Sequence, residues 1–366
     1  MTVFGVFGLI GNMTSLYVLP QVKSNRSFHK MLMGLVIIDS AVIIFFVGDV
    51  SIVGQFLSSE PYLYRASYPY LIHPFRNMTL TASIFMVVAI SAERYKAICH
   101  PLKYRPAYTK YIWFVMVTTV CLEIPRFFEF KLISLPDFTI TYWTTALMDN
   151  ETYIQFTSYW DDIITTGLLP FSGLIFFNSS IYLKIRKSFF QKYCFVDKNF
   201  INNRNLRGEF ESVNPGCQKS RVSEVLAEKV QDVCQNTIPQ TKGISKKDQG
   251  ESRRHFKRRK EKTVVLLISI VLVFVLCHVF RLIVQIYEIS LSSQVTEGHY
   301  LHCHSQDRYH VPVILRFLLI VSHVFIIINS SVNFILYCLV AKDFRKRFFL
   351  MFHCRQPTPK RSSTFS

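Results

Sequence analysis

Ser91-Ala92-Glu93-Arg94-Tyr95-Lys96-Ala97-Ile98-Cys99-His100-Pro101-Leu102 closes an apolar run that occupies residues 68–95. A carboxylate and a guanidinium stand side by side where that run gives way to lysine, histidine and proline. An unpaired cation at the edge of a bilayer is costly, so Glu93 is the natural partner for Arg94. The run is continuous rather than alternating, which argues for a helix over a barrel strand. About 20 apolar residues carry a helix across ~30 Å of hydrocarbon, and this run is longer.

Six further runs lie on either side of it, at 2–21, 31–57, 111–125, 163–183, 263–287 and 311–340. The first only just reaches spanning length, and 111–125 falls short unless Arg126 and the aromatics beside it extend it. The whole chain agrees with a membrane solvent. Of 366 residues, half are apolar, 15% aromatic and 18% charged, below the ~25% charged of an ordinary soluble domain. This excludes a disordered chain, a collagen-like chain and a small disulfide scaffold. The fold class expected is an all-α membrane protein, a seven-transmembrane helix bundle with a short amphipathic helix after the seventh span. That helix is Lys342-Asp343-Phe344-Arg345-Lys346-Arg347-Phe348-Phe349, basic on one side and aromatic on the other. Residues 1–354 form the bundle, with a first helix expected to be truncated because apolar sequence starts almost at Met1. Residues 188–259 form a long basic loop, largely disordered, and 355–366 a short tail.

The net charge is +18, from 42 Lys+Arg against 24 Asp+Glu. The short segments 22–30, 96–110 and 341–366 hold 14 basic residues, whereas 58–67, 126–160 and 289–311 hold four. The positive-inside rule makes the first set cytoplasmic, with the N-terminus extracellular and the C-terminus cytoplasmic. The run Arg253–Lys260 resembles a nucleic-acid patch, but between two spans it reads better as a basic helix extension at the membrane face. Asn150-Glu151-Thr152 is a glycosylation sequon on the exterior side. Cys354, just past the amphipathic helix, is a palmitoylation candidate. The nine cysteines show no zinc spacing. No nucleophile–base pair or phosphate loop suggests an enzyme, and no repeat between the halves suggests a transporter.

Glu93-Arg94-Tyr95 at the end of the third run and Asn329-Ser330-Ser331-Val332-Asn333-Phe334-Ile335-Leu336-Tyr337 at the end of the seventh resemble the rhodopsin-like G-protein-coupled receptors. The likeness covers nearly the whole chain, with Asn12, Asp39, Trp113, Pro170, Phe274 and Cys277 as further matching positions. Ile124-Pro125-Arg126-Phe127-Phe128-Glu129, Asn178, Cys277-His278 with Arg281, and Asn333-Phe334 resemble the FMRFamide-receptor branch of invertebrate neuropeptide receptors.

The resemblance implies a plasma-membrane receptor for an extracellular amidated neuropeptide, signalling by outward movement of the sixth helix to a heterotrimeric G protein. Membrane lipid is a further partner and nucleic acid is not. A receptor-like protein with impaired signalling is the alternative, and a transporter a weaker one. The implied coupling switch is Glu93, Arg94, Tyr95, Pro101, Leu102, Asn333 and Tyr337; the implied transmission contact is Ile84, Pro170, Phe274 and His278. Asp39 is a lone carboxylate within an apolar helix, so it must be neutral, paired or ion-bound. The resemblance places Ser83, Asn329, Ser330 and Asn333 around it as an allosteric sodium site, the only cofactor expected.

Pocket candidates are Arg76, Glu123, Arg126, Asp161, Asp162, Arg281, Gln285 and Glu288. Arg76 stands where an amine receptor needs a carboxylate, and 311–340 lacks the lysine a retinal protein needs. A peptide arginine would seek one of the acids, which one being open, while Arg76 is an alternative partner for Glu123. Phe280 and Phe334 stand where the family usually has prolines, and His278 where it has tryptophan. Pro69 occupies the usual third-span cysteine position and 126–160 contains no cysteine, so that loop must be held by packing rather than by the family's disulfide.

Overall fold

The computed structural model describes residues 1–22, 26–55, 62–134, 140–148, 150–205, 246–296 and 313–352. Among them are seven helices long and apolar enough to cross a membrane: Thr2–Gln21, Ser27–Asp49, Tyr62–Cys99, Tyr108–Phe128, Thr152–Lys187, Val264–Tyr287 and Ile314–Val340. We refer to them as spans one to seven. Span four reaches spanning length by taking in Arg126 and the adjacent aromatics, as expected. A further helix, Lys342–Phe352, follows span seven. Cys303, Cys354 and the segment 206–245 lie outside the described residues.

The chain divides into two units. Met1–Lys184 with Lys262–Ser366 make the bundle. In the other unit, Ile185–Glu261, the described residues are helical, running to Asn205 and resuming at Lys246. The latter stretch is the basic helix extension expected from the sequence.

Span one packs through small residues. Gly5, Gly8, Gly11, Asn12 and Ser15 form its buried face, at helical spacing. A Cβ on Gly8 would run into the Ser331 side chain, and one on Gly11 would lie 2.9 Å from Phe334 Cβ. Close backbone approach through small residues is how helices associate where lipid removes the hydrophobic drive. Phe334, at the usual proline position, is thus received by Gly11 and lies edge-on to Phe348 of the last helix at 5.5 Å. Span seven is an unbroken helix over Val313–Val340, and span six belongs to an unbroken helix over Lys246–Thr296. Both follow from the absence of an internal proline.

Spans three and five do contain prolines, and each has wide i→i+5 turns just before one. These cover Tyr68–Ile72 ahead of Pro74, and Phe156–Leu168 ahead of Pro170. A proline has no N–H for the preceding turn and crowds the carbonyl four residues back. A wider turn relieves both, and such turns gather at functional sites.

To the expected bundle the structure adds an antiparallel hairpin. Strand β1 (Phe130–Ser134) pairs with β2 (Ile140–Thr144), Phe130 opposite Thr144 and Leu132 opposite Tyr142. Tyr142 stacks on Tyr68 of span three at 4.4 Å between ring centroids, and Phe130 meets His73 edge-on at 4.9 Å. Packing thus seats the loop, as the lack of a disulfide required.

Candidate functional site

At one end of the bundle, Glu93 and Arg94 are buried, 0% and 6% exposed. Arg94 donates through Nε to Glu93 Oε2 at 2.5 Å and through Nη2 to Oε1 at 2.6 Å. Glu93 Oε1 also accepts from Ser27 Oγ at 3.1 Å and from the Tyr104 hydroxyl. The Arg94 guanidinium lies 4.7 Å from the Phe28 ring centroid, a cation–π contact. Burial, then the hydrogen bond to Glu93 and its charge, raise the Tyr104 phenol above its ordinary value, keeping it a donor. Both oxygens of Glu93 are satisfied and the single positive charge meets a single negative one.

The opposite end is unbalanced. Arg126 contacts four carboxylates: Glu129 at 3.1 Å, Asp161 at 3.1 Å, Asp162 at 3.5 Å and Glu123 at 3.6 Å. Neighbouring residues on an ordinary helix diverge by about 100°. The wide turns of span five reduce that angle, which lets the adjacent Asp161 and Asp162 face the same guanidinium. Arg281 feels the charges of Asp162, Glu123 and Asp161 but makes no ion pair among the described residues. Glu129 also accepts from Tyr153 at 2.8 Å and is bonded to His73 at 2.6 Å. Burial works to raise the Glu129 carboxyl, but the His73 bond, the Arg126 charge and the Tyr153 bond outweigh it and hold it below its ordinary value.

Between the ends, Asp39 is fully buried. Ser83 Oγ donates to its Oδ1 at 2.7 Å and Asn333 Nδ2 to its Oδ2 at 2.6 Å. Nearby, Asn12 Nδ2 donates to the Ser330 carbonyl at 3.2 Å, leaving the buried Asn12 Oδ1 without a hydrogen-bond partner among the described residues. Phe274 stacks on His278 at 4.2 Å and lies 6.1 Å from Phe171, next to Pro170. Ile84, Pro170, Phe274 and His278 are all buried.

A family model described as the seven-transmembrane receptor of the rhodopsin family matches residues 11–337. The chain belongs to that family. It is therefore a multi-pass membrane receptor and not an enzyme. The receptor is 28% identical to the FMRFamide receptor of Drosophila melanogaster over 202 residues, 51% of this chain and 37% of that protein. It is 26% identical to the cholecystokinin receptor type A of Canis lupus familiaris over 295 residues, 76% of this chain and 63% of that one. It is 32% identical to the B1 bradykinin receptor of Homo sapiens over 112 residues, 29% of this chain and 31% of that one. The alignments thus span less than two thirds of each relative's length.

Within the receptor, the pocket candidates divide. Glu123, Arg126, Asp161, Asp162 and Arg281 come together. Arg76 does not join them: it pairs with Asp49, which also accepts from the Tyr64 hydroxyl at 2.6 Å. The alternative of Arg76 neutralising Glu123 is thereby replaced by a second, separate ion pair. Gln285 is half-buried one turn beyond Arg281, and the Glu288 side chain lies outside the described residues. Tyr95 packs on Phe177 of span five at 5.5 Å. Leu102 is fully exposed and Pro101 exposed. Tyr337 is fully buried against Phe344 at 5.6 Å, its hydroxyl without a hydrogen-bond partner among the described residues. Asn150 is exposed, and its Oδ1 caps the helix Glu151–Gln155 by accepting from the Thr152 and Tyr153 amides, which leaves its Nδ2 uninvolved in the cap. Sequence reasoning missed Asp49, His73, Ser27 and Tyr104. Asp49 and His73 carried a usable signal, because each is a polar group in an apolar run, as Asp39 is.

Proposed function

We propose that this receptor binds an extracellular peptide at its Arg126 end and passes the signal to a heterotrimeric G protein at its Arg94 end. The observation that carries the reading is the Glu93–Arg94 pair, closed by Ser27 and Tyr104. Such a pair holds a resting state, and outward movement of span six frees Arg94 to meet the G protein. Transmission runs through the buried residues Ile84, Pro170, Phe274 and His278, the last two stacked on each other. The basic bias of the segments flanking the Arg94 end supports a cytoplasmic face there, with the N-terminus extracellular. The last helix lies on the inner leaflet, its basic residues toward lipid headgroups.

The ligand class proposed is a short amidated peptide of the FMRFamide type. Support comes from the named relatives, all receptors bearing peptide names, and from the acid-rich Arg126 end. Sodium fits the middle of the bundle: a single buried carboxylate, the Ser83 and Ser330 hydroxyls, and the unpartnered Asn12 oxygen are the hard donors such an ion takes. Asp39, Ser83 and Ser330 would hold it, with Asn329 and Asn333 bordering, and it would supply charge compensation for Asp39 in the resting state.

The test is calcium and cAMP recording in cells displaying the full chain, challenged with a panel of amidated peptides. Responses at nanomolar to micromolar peptide are expected. Silence across the panel despite surface delivery would favour a receptor-like protein that does not signal.

A further inference from the structure

Phe334 stands on span seven where the family usually has a proline, and span one is shaped to take it. Gly11 leaves room that no side chain could share: a Cβ there would lie 2.9 Å from Phe334 Cβ and 3.1 Å from its Cγ. One turn back, a Cβ on Gly8 would overlap the Ser331 side chain, and Ser331 Oγ lies 3.3 Å from the Phe4 carbonyl oxygen. Asn12 Nδ2 donates to the Ser330 carbonyl at 3.2 Å. Ser330, Ser331 and Phe334 thus seat one face of span seven in a groove of span one whose floor is glycine backbone.

On its other side the Phe334 ring meets Phe344 at 6.1 Å and Phe348 at 5.5 Å, edge-on to both. Phe344 is buried and lies 5.6 Å from the ring of Tyr337, itself fully buried. One ring therefore joins span one, span seven and the last helix, and it backs the ring that packs on Tyr337.

Two tendencies oppose each other here. The Tyr337 hydroxyl is buried with no hydrogen-bond partner among the described residues, and such a group is stabilised by any rearrangement that brings it to water or a polar partner. A proline would let span seven bend to make that move. Phe334 instead leaves the helix unbroken over Val313–Val340, so no hinge lies at that point.

We propose that Phe334, seated on Gly11, is the positioning residue that holds Tyr337 in its resting place. Span seven moves as a rod, and Tyr337 leaves Phe344 only when the Phe334 ring leaves the glycine groove. This rests on the signalling reading above, takes Tyr337 as part of its switch, and adds the part that restrains it.

The test uses the full chain purified in detergent and reads the thiol of Cys338, which lies one helical turn past Phe334 on the same face and is free and half-buried. Alkylation by iodoacetamide is followed at Cys338 by peptide mapping, with the buried Cys277 of span six as the reference. Phe334→Ala should speed Cys338 alkylation at least about tenfold while Cys277 stays unchanged, because loss of a packed ring favours local opening. Phe334→Leu should give a smaller rise, and it stands in should Phe334→Ala not fold. Gly11→Ala removes no contact, yet it should speed alkylation about threefold by pushing the ring from its seat. With Phe334→Ala and Gly11→Ala combined, the rate should match Phe334→Ala alone, since the ring that Gly11 receives is already gone. An unchanged Cys338 rate in the Phe334 and Gly11 variants, a parallel rise at Cys277, or additive effects in the double variant would overturn the proposal. A second arm measures basal nucleotide exchange on a panel of G-protein α subunits, where Phe334→Ala should raise it as Glu93→Gln does. A rise with Glu93→Gln alone overturns the proposal and keeps the signalling reading. Background exchange in both, with Cys338 exposed by Phe334→Ala, keeps the seat of Phe334 and discards the signalling reading.

Discussion

The two ends of the bundle handle buried charge in opposite ways. At Arg94 one guanidinium meets one carboxylate, and Ser27 and Tyr104 complete the coordination of Glu93. At Arg126 one guanidinium is shared among four carboxylates. A balanced, fully bonded pair is self-sufficient and holds a state until something competes for it. An overcharged cluster holds more acids than its one guanidinium can pair closely. The contrast fits the switch proposed at the Arg94 end, in a chain that belongs to a receptor family.

The largest effects should come from breaking the balanced end. On the proposed switch, Arg94→Ala removes the group that meets the G protein, so agonist-driven nucleotide exchange should fall to background while surface delivery and peptide binding persist. Glu93→Gln acts with the opposite sign: it keeps the hydrogen-bonding shape but removes the counter-charge, so basal exchange should rise about tenfold, within the usual range of coupling energies. Normal signalling by the first variant, or unchanged basal exchange in the second, would remove the pair from the switch. Asp39 lies between the ends. With sodium bound in the resting state, adding NaCl should weaken agonist binding about tenfold, and Asp39→Asn should make affinity indifferent to salt. A wild-type receptor indifferent to NaCl would reject the ion.

The overcharged end carries its own tether. His73 and Glu129 join span three to the residue just before the hairpin through a buried contact at 2.6 Å. A hydrogen bond to a charged group contributes about 1.5–3 kcal/mol, so His73→Ala should lower the Tm by several degrees and speed proteolytic nicking of the hairpin. The pH dependence follows from Glu129, whose folded value is depressed. Its stabilisation is fully present above the unfolded carboxylate value of about 4.3 and is lost as the pH falls through the lower folded value. Hairpin protection should therefore hold in the neutral range and fail in acid, whereas the His73→Ala receptor should show a shallower acid loss.

The bundle was legible in the sequence because the spans are set by length and hydropathy, which need no tertiary information. The Glu93–Arg94 pair and Asp39 were legible for a related reason: a charge in an apolar run demands a partner. The choice of partner was not legible. Arg76 selects Asp49 over Glu123 because of helix rotation and the wide turns before Pro74, and neither is written in a single run. Asp161 and Asp162 share Arg126 through the wide turns before Pro170, another departure from regular helix geometry. The hairpin escaped because strands of five residues give too short a pattern, and its stability comes from Tyr68 and His73 in a distant segment.

The smallest effect returns to the balanced end and measures its outermost bond. Tyr104 reaches Glu93 from the segment between spans three and four, and it is half-buried, so solvent screens its contribution. About 1 kcal/mol remains after that discount, roughly a fivefold change in an equilibrium. Tyr104→Phe keeps the ring and removes only the donor, so basal nucleotide exchange should rise about fivefold, less than for Glu93→Gln. The raised phenol value keeps the donor protonated across the physiological range, so the wild-type to Tyr104→Phe ratio should not vary between pH 6 and pH 8. If the two changes act on one switch, Tyr104→Phe added to Glu93→Gln should produce a smaller rise than it does alone, because the carboxylate that strengthens its bond is already gone. Full additivity would place Tyr104 outside the pair's energetics and reduce its contact to incidental packing.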